Sequence, residues 1–265
     1  MDALRDPLAQ LVAETGAEIL QYYQSAEQLE AQTKADNTPV TEADIAAHHR
    51  LMEGLAPFGL PVLSEESGKD AEDRRNWDSF WMVDPLDGTK EFLGRTGEFT
   101  INIALIEGEC AVFGLVAIPV SGEIYLGGAG LGAWSRRDGK WESIRSRPLD
   151  TEGTVTVLAS RRHRGERLDA CLEALRNNVA TLRRDNAGSA LKFCRLAAGD
   201  ADFYPRYSPC SEWDTAAGQA LLEGAGGAVL GLDGMPLRYN LRDTLLSPNF
   251  HAIADPAAPI WARLR

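Results

Sequence analysis

The side chains in this sequence best suited to chemistry are carboxylates that stand beside turns. Asp84 and Asp87 lie in the run Trp81-Met82-Val83-Asp84-Pro85-Leu86-Asp87-Gly88-Thr89-Lys90-Glu91-Phe92. Glu65 follows the apolar stretch Pro61-Val62-Leu63-Ser64, Asp44 follows Thr41-Glu42-Ala43, and Asp214 sits in Ser211-Glu212-Trp213-Asp214-Thr215. No histidine or cysteine accompanies them at ligand spacing. An all-oxygen set disfavours zinc and suits magnesium, a hard cation that pairs with substrate phosphate. Carboxylates brought together without a cation raise one another's pKa, so bound metal is the simplest reason for such a cluster. Metal-assisted phosphoester hydrolysis follows, with two divalent ions bracketing the attacking water and the leaving oxygen. The amides of Gly88 and Thr89 would hold phosphate oxygens. The Thr89 hydroxyl, backed by Asp44, would orient the water. Ordinary roles stay open beside these: Asp44 can close a capping box with Thr41, and Glu65 with Glu66 can be a solvated pair at a strand end.

Certain elements must position these groups. The apolar run Phe80 to Val83 reads as a buried strand that ends at Asp84, because Pro85 has no N–H to donate; a short helix is expected from about Lys90. Leu4, Leu8, Leu11, Val12 and Leu20 predict an amphipathic helix over 3–24. Thr41 and Asp44 open a second helix that runs to about Leu55. Residues 25–37 and 67–79 read as loops. Pro61 to Ser64, Phe99 to Ile106, Val112 to Ile118 and Glu123 to Leu126 read as strands. The turn Arg137-Asp138-Gly139-Lys140 joins Gly132–Ser135 to Trp141–Ile144 in a hairpin. Loop chemistry over 145–153 then marks a boundary.

Beyond it, strands at 154–159, 180–183, 202–204, 226–230 and 251–254 alternate with helices at 168–175, 189–198 and 215–222. A short helix with Trp261 and Leu264 closes the chain. The expected organisation is a two-helix plus antiparallel-sheet subdomain over 1–150 and an α/β subdomain over 151–265, with helices on both faces of its sheet.

The chain has 265 residues, 44% hydrophobic and 25% charged, ordinary for a globular protein. A formal net charge of −12 disfavours general binding to nucleic acid or to an anionic membrane, so an anionic substrate needs metal ions or a local basic patch. The four cysteines, Cys110, Cys171, Cys194 and Cys210, show no zinc-like or CxxC spacing and read as free thiols in a reducing cytoplasm. No stretch looks like a signal sequence or a membrane span.

Four segments carry a resemblance. Thr38-Pro39-Val40-Thr41-Glu42-Ala43-Asp44, Ser64-Glu65-Glu66, Asp84-Pro85-Leu86-Asp87-Gly88-Thr89-Lys90-Glu91-Phe92 and Trp213-Asp214-Thr215-Ala216-Ala217-Gly218 resemble, in order and spacing, the inositol monophosphatase-like superfamily of lithium-sensitive magnesium phosphatases. Lys90-Glu91, the stretch Gly188 to Cys194 and Tyr204-Pro205-Arg206 are similar to the bacterial 3'(2'),5'-bisphosphate nucleotidases within it.

The resemblance implies a layered α/β/α/β/α fold and two or three Mg2+ ions. Glu65, Asp84 and the carbonyl of Leu86 would hold the first ion, and Asp84, Asp87 and Asp214 the second. Asp44 and Glu65 would reach a third, weaker ion or its waters. Asp44 with Thr89, aided by Glu65, would make up the catalytic group. The substrate-facing set would be Leu86, Asp87, Gly88, Thr89, Ser189, Lys192, Arg206 and Asp214, with Ser189, Lys192 and Arg206 on the nucleotide side. His163 is a further candidate.

The implied reaction removes the 3'-phosphate of adenosine 3',5'-bisphosphate, and extends to its sulfated analogue, in recycling a by-product of sulfate activation. On this reading Lys192→Ala would weaken the bisphosphate while sparing small sugar phosphates. A phosphatase for inositol monophosphate or another sugar phosphate is the alternative, and a non-catalytic nucleotide or metal sensor is the alternative of another class. The implied location is cytoplasmic, with a peripheral place on the inner face of the membrane also open, as either a monomer or a homodimer.

Overall fold

Apolar residues run almost unbroken along the central strands, which are buried on both faces. In the computed structural model, which describes residues 2–25, 32–33, 39–67, 72–160 and 165–263, the chain opens with helix α1 (Asp2–Ser25), a small ribbon of β1 (Gln32–Thr33) and β2 (Pro39–Val40), and helix α2 (Glu42–Leu55). Seven strands follow: β3 (Val62–Ser64), β4 (Ser79–Asp87), β5 (Thr100–Glu107), β6 (Cys110–Ile118), β7 (Glu123–Gly128), β8 (Gly132–Arg137) and β9 (Lys140–Ile144), with the short helix α3 (Thr89–Leu93) between β4 and β5. They lie in one sheet in chain order. β3 runs parallel to β4, and every later neighbour is antiparallel. The β8–β9 hairpin turns on Asp138 (φ 49°) and Gly139 (φ 76°), the left-handed pair that a tight two-residue loop requires.

The second half supplies β10 (Thr154–Ala159), α4 (Glu166–Arg176), β11 (Thr181–Asn186), α5 (Leu191–Ala197), β12 (Phe203–Arg206), α6 (Ala216–Gly224), β13 (Ala228–Gly231) and β14 (Phe250–Ile253). These strands form a five-stranded sheet in the order β11-β10-β12-β14-β13. It is mixed rather than a simple alternation, because β14 pairs antiparallel with both β12 and β13.

Side-chain alternation gives the layers. Trp81, Val83, Ile101 and Ile103 face α1 and α2, where Leu8, Val12, Ala47 and Leu51 cover them. Phe80, Met82, Ala104 and Val116 face the other way, onto Phe193 and Leu196 of α5 and Ala217 and Leu221 of α6. The same buried cluster continues into Leu158, Tyr204 and Ala252 of the second sheet. That sheet's far face, with Val155, Val157, Phe203 and Ile253, packs on Leu168, Leu172 and Leu175 of α4. The result is helix, sheet, helix, sheet, helix, as the resemblance implied. Each fully buried aliphatic side chain contributes roughly 1.5–3 kcal/mol, so these interlayer contacts are the main cohesion. α6 can lie so close to the first sheet because Gly114 has no side chain: a Cβ there would stand 2.1 Å from the Ala217 carbonyl oxygen.

Some boundaries differ from expectation. β4 does not stop at Asp84 but runs through Pro85 to Asp87. α5 starts at Leu191 rather than Ser189, since Ser189 has φ 39° and cannot join a right-handed helix. Most of 25–37 lies outside the described residues, as do His163 and Leu264. No described helix is long and apolar enough to cross a membrane, and all four cysteines are free.

Candidate metal centre and substrate pocket

Two acids three positions apart on a regular strand point to opposite faces. Here a β-bulge corrects the phase. Asp84 pairs with Asn102 and Asp87 with Thr100, so β4 spends three steps where β5 spends two. Asn102 and Thr100 share one face of β5, and their partners therefore share it too. The extra residue falls at Pro85–Leu86, where a missing ladder N–H is tolerated. Proline thus does not end the strand; it sits in the irregularity that turns both carboxylates toward the α5–α6 layer. Within the bulge the Leu86 amide donates to Asp84 Oδ1 at 3.1 Å.

Asp214 arrives from elsewhere in the sequence, just before α6. One oxygen from each of Asp84, Asp87 and Asp214 lies within 4.8 Å of the other two. Glu65, just after β3, stands near enough to Asp84 to repel its charge. Burial, then repulsion from Glu65, Asp87 and Asp214, pushes Asp84 well above the usual carboxylate range. Burial, then repulsion from Asp87 and Glu65, lifts Asp214 to about 7. Asp87 is raised by burial but eased by Lys192 and by its donors. Its Oδ2 accepts from the Ala190 amide (2.7 Å), Asn102 Nδ2 (3.3 Å) and Thr100 Oγ1 (3.4 Å). Convergent acids, one buried and two half-buried, that repel one another with oxygen donors only fit a hard divalent cation.

Asp44 combines the two roles open in the sequence. Its Oδ2 accepts from the Thr41 amide at 2.8 Å and the Thr41 hydroxyl at 2.5 Å, which caps α2. Its Oδ1 accepts from the Thr89 hydroxyl at 3.1 Å. Burial holds the Asp44 carboxyl above its ordinary pKa, against the lowering effect of the Thr41 bonds. Gly88 (φ 95°) turns the chain from β4 into α3 and brings Thr89 to this bond.

Ser189, Lys192 and Arg206 meet Asp87 and Asp214 around one cavity of about 170 Å3, with Tyr204 and Phe250 in its wall. Lys192 is not the surface charge its helical position allowed. It is 2% exposed, and its Nζ donates to the carbonyls of Ser189 (2.7 Å) and Ala187 (3.2 Å) and lies over the Tyr204 ring. Burial lowers its pKa to about 8, with Asp87 opposing. Arg206 is braced by the carbonyls of Ser208 (3.1 Å) and Pro209 (2.9 Å) and by the Tyr204 hydroxyl (3.3 Å). A second cleft of about 390 Å3 adjoins the first, sharing Ser160, Tyr204 and Arg206 with it.

Several supporting residues escaped the sequence reading. Asn102, Thr100 and Ala190 hold Asp87. Glu98 fixes the Ser189 turn, accepting from the Gly188 amide through its carboxylate (2.8 Å) and from the Ser189 hydroxyl through its carbonyl (2.9 Å). Polar positions in the apolar strand β5 were the only trace of the first group. Nothing local marked the second.

With this geometry in view, comparison with known proteins is informative. The model for the inositol monophosphatase family matches residues 1–261. The chain belongs to that family. A family protein of Escherichia coli (strain K12), named 3'(2'),5'-bisphosphate nucleotidase CysQ, is 42% identical over 247 residues, which cover 92% of this chain and 97% of that one. A protein of the same name from Buchnera aphidicola is 37% identical over 94% of this chain and 93% of its own length. The crystal structure of CysQ from Bacteroides thetaiotaomicron, a bacterial member of the family, superposes with a TM-score of 0.82 at 36% identity, covering 94% of this chain and 97% of that one. The suhB protein of Bartonella henselae, with a TM-score of 0.78 at 24% identity over 99% of this chain and 98% of its own, shares the fold.

Proposed function

We propose that the protein is a magnesium-dependent 3'(2'),5'-bisphosphate nucleotidase that removes the 3'-phosphate of adenosine 3',5'-bisphosphate, giving AMP and phosphate. The observation that carries this reading is the meeting, at one place, of three convergent carboxylates, a Thr89–Asp44 hydrogen bond and a cavity lined by Lys192 and Arg206. The CysQ names of the relatives favour the nucleotide over other phosphate esters.

Glu65, Asp84 and the Leu86 carbonyl would hold one ion and Asp84, Asp87 and Asp214 a second, with a third near Asp44 and Glu65. Bound there, divalent ions would lower the pKa of water and offset charge on the leaving oxygen. The rest is the work of this chain. Asp44 accepts the Thr89 proton, which leaves a Thr89 lone pair to hold the attacking water in line. Gly88 and Thr89 present amides to the scissile phosphate. Arg206, fixed by three acceptors, offers charge to the second phosphate. Lys192 stiffens the Ser189 turn and eases the charge of Asp87. The adjoining cleft gives room for more than a sugar monophosphate. Action on the sulfated analogue, and a role in recycling by-products of sulfate activation, follow the same reading.

The test is a magnesium-dependent phosphate-release assay with adenosine 3',5'-bisphosphate and inositol 1-phosphate side by side. Turnover is expected to favour the nucleotide by at least an order of magnitude in kcat/KM, since a second bound phosphate adds charge-assisted hydrogen bonds. A preference for inositol 1-phosphate would overturn the substrate, and no turnover of either would return the sensor alternative.

A further inference from the structure

Two residues before Asp214 stands another acid, Glu212, with no exposed surface at all (0%). Its carboxylate accepts from Arg242 Nη2 at 2.6 Å and from the Asn240 amide at 2.9 Å. Its backbone is equally committed. The Glu212 amide donates to Leu245, and its carbonyl accepts from the amides of Thr215 and Ala216, on either side of the step into α6. The turn that presents Asp214 is therefore held through Glu212 from both sides.

The contacts continue to the segment that leads into β4. Arg74 is 6% exposed and donates to Asn240 Oδ1 (2.5 Å) and to the carbonyls of Arg242 (2.6 Å) and Asp243 (3.2 Å). Asn240 Nδ2 returns a bond to the Arg74 carbonyl at 2.7 Å. Asn240 has φ 59°, a left-handed conformation that asparagine tolerates. Arg74 precedes β4, the strand that carries Asp84 and Asp87. An ion pair whose acid is buried and whose arginine is 32% exposed is a weak source of stability, because desolvation of the carboxylate offsets the attraction. Directional bonds that join three chain segments are better explained by geometry.

We propose that Glu212 and Arg242, with Arg74 and Asn240, are positioning residues: a clamp that sets Asp214 against Asp84 and Asp87 and so fixes the affinity of the site for a divalent cation. The proposal rests on the metal reading above. None of the four lines the substrate pocket itself, so they act through the residues they hold.

The experiment is calorimetric titration of Mn2+ into the whole, metal-free protein, with a melting curve of each sample to establish that it is folded. Arg242→Met and Arg74→Met are expected to raise the Mn2+ dissociation constant about tenfold or more, the usual effect of removing a partner that orients a metal ligand. Asn240→Gly keeps the left-handed backbone and the amide to Glu212 while losing the Arg74 bonds. It carries the same expectation and serves if either arginine variant fails to fold. Variants that melt lower but bind Mn2+ with unchanged affinity would show a merely structural role and overturn the clamp. Asp214→Asn separates the two ideas. If it abolishes Mn2+ binding while the clamp variants leave it intact, the clamp fails and the metal site stands. If it and the wild type bind alike, or neither binds, the metal reading fails and takes the clamp with it.

Discussion

Asp84 is the residue on which the site depends most, being a neighbour of Glu65, Asp87 and Asp214 at once. Asp84→Asn keeps the shape but removes the charge, and kcat is expected to fall by orders of magnitude in the phosphate-release assay. Lys192 demands a revised expectation. A lysine that reached only the nucleotide could be removed without harm to small substrates. The buried Lys192 instead bonds two carbonyls of the Ala187–Ser189 turn, whose next amide holds Asp87. Lys192→Ala is therefore expected to lower kcat/KM for nucleotide and sugar phosphates together, and a loss confined to the nucleotide would return it to a pure recognition role.

His48, one turn after Asp44, bonds Ser64 Oγ at 2.9 Å and so ties α2 to the end of β3, next to Glu65. Burial, then the adjacent His49, holds its imidazole below the ordinary 6.5. The folded state then binds fewer protons than the unfolded chain. That contribution is complete above pH 6.5 and is lost as pH falls through the lower folded value. His48→Gln, which can keep a bond to Ser64, should flatten the acid side of the melting temperature against pH below 6.5.

At the scale of elements, the β4 bulge and the α6 contact do most to build the site. The bulge sets the phase of Asp84 and Asp87, and the close approach of α6 to β6 delivers Asp214 to them. Gly114→Ala places a methyl group against the Ala217 carbonyl, where backbone must shift. Urea denaturation is expected to show a loss of about 1–3 kcal/mol, the range for overpacking a filled interior. Because α6 starts just after Asp214, the same variant should also weaken Mn2+ binding. Full retention of both would mean that α6 can retreat without moving the acid.

For the whole molecule, three acids gathered at one place are a liability without a cation beside them. Asp84, Asp87 and Asp214 all have raised folded pKa values. Here the folded state holds extra protons, so the sign is opposite to that of His48. Their contribution to stability is fully present below the ordinary aspartate value of 3.8 and is lost as pH rises through about 7, the folded value of Asp214. Thermal melts in chelator should show this decline. Excess magnesium should reverse it at neutral pH, by about 2.7 kcal/mol at a hundredfold excess over the dissociation constant. A melting temperature indifferent to magnesium at every pH would rule out a site in this cluster. Net charge acts in the same direction. Under the proposed function, a molecule at −12 overall needs metal and the charges of Lys192 and Arg206 to receive a phosphate ester.

The sequence by itself determined which groups could do chemistry and most of the elements that carry them. Hydrophobic periodicity exposed the helices and strands because burial is a local, repeating demand on residue type. The acidic motifs were legible because oxygen ligands, a left-handed glycine and a hydroxyl leave a recognisable pattern of residues. Phase and convergence were not legible. Pro85 read as a stop because a missing N–H normally ends pairing, and only its partner strand shows that a bulge absorbs it. Ser189 read as helical because its positive φ is imposed by Glu98, distant in sequence. Nothing local set Glu212 or Arg242 apart. The burial of Glu212, like the meeting of Asp44 with Thr89 and of Asp214 with Asp84, is decided by how the two sheets close over α5 and α6, since contacts between distant segments leave no periodic trace in the chain.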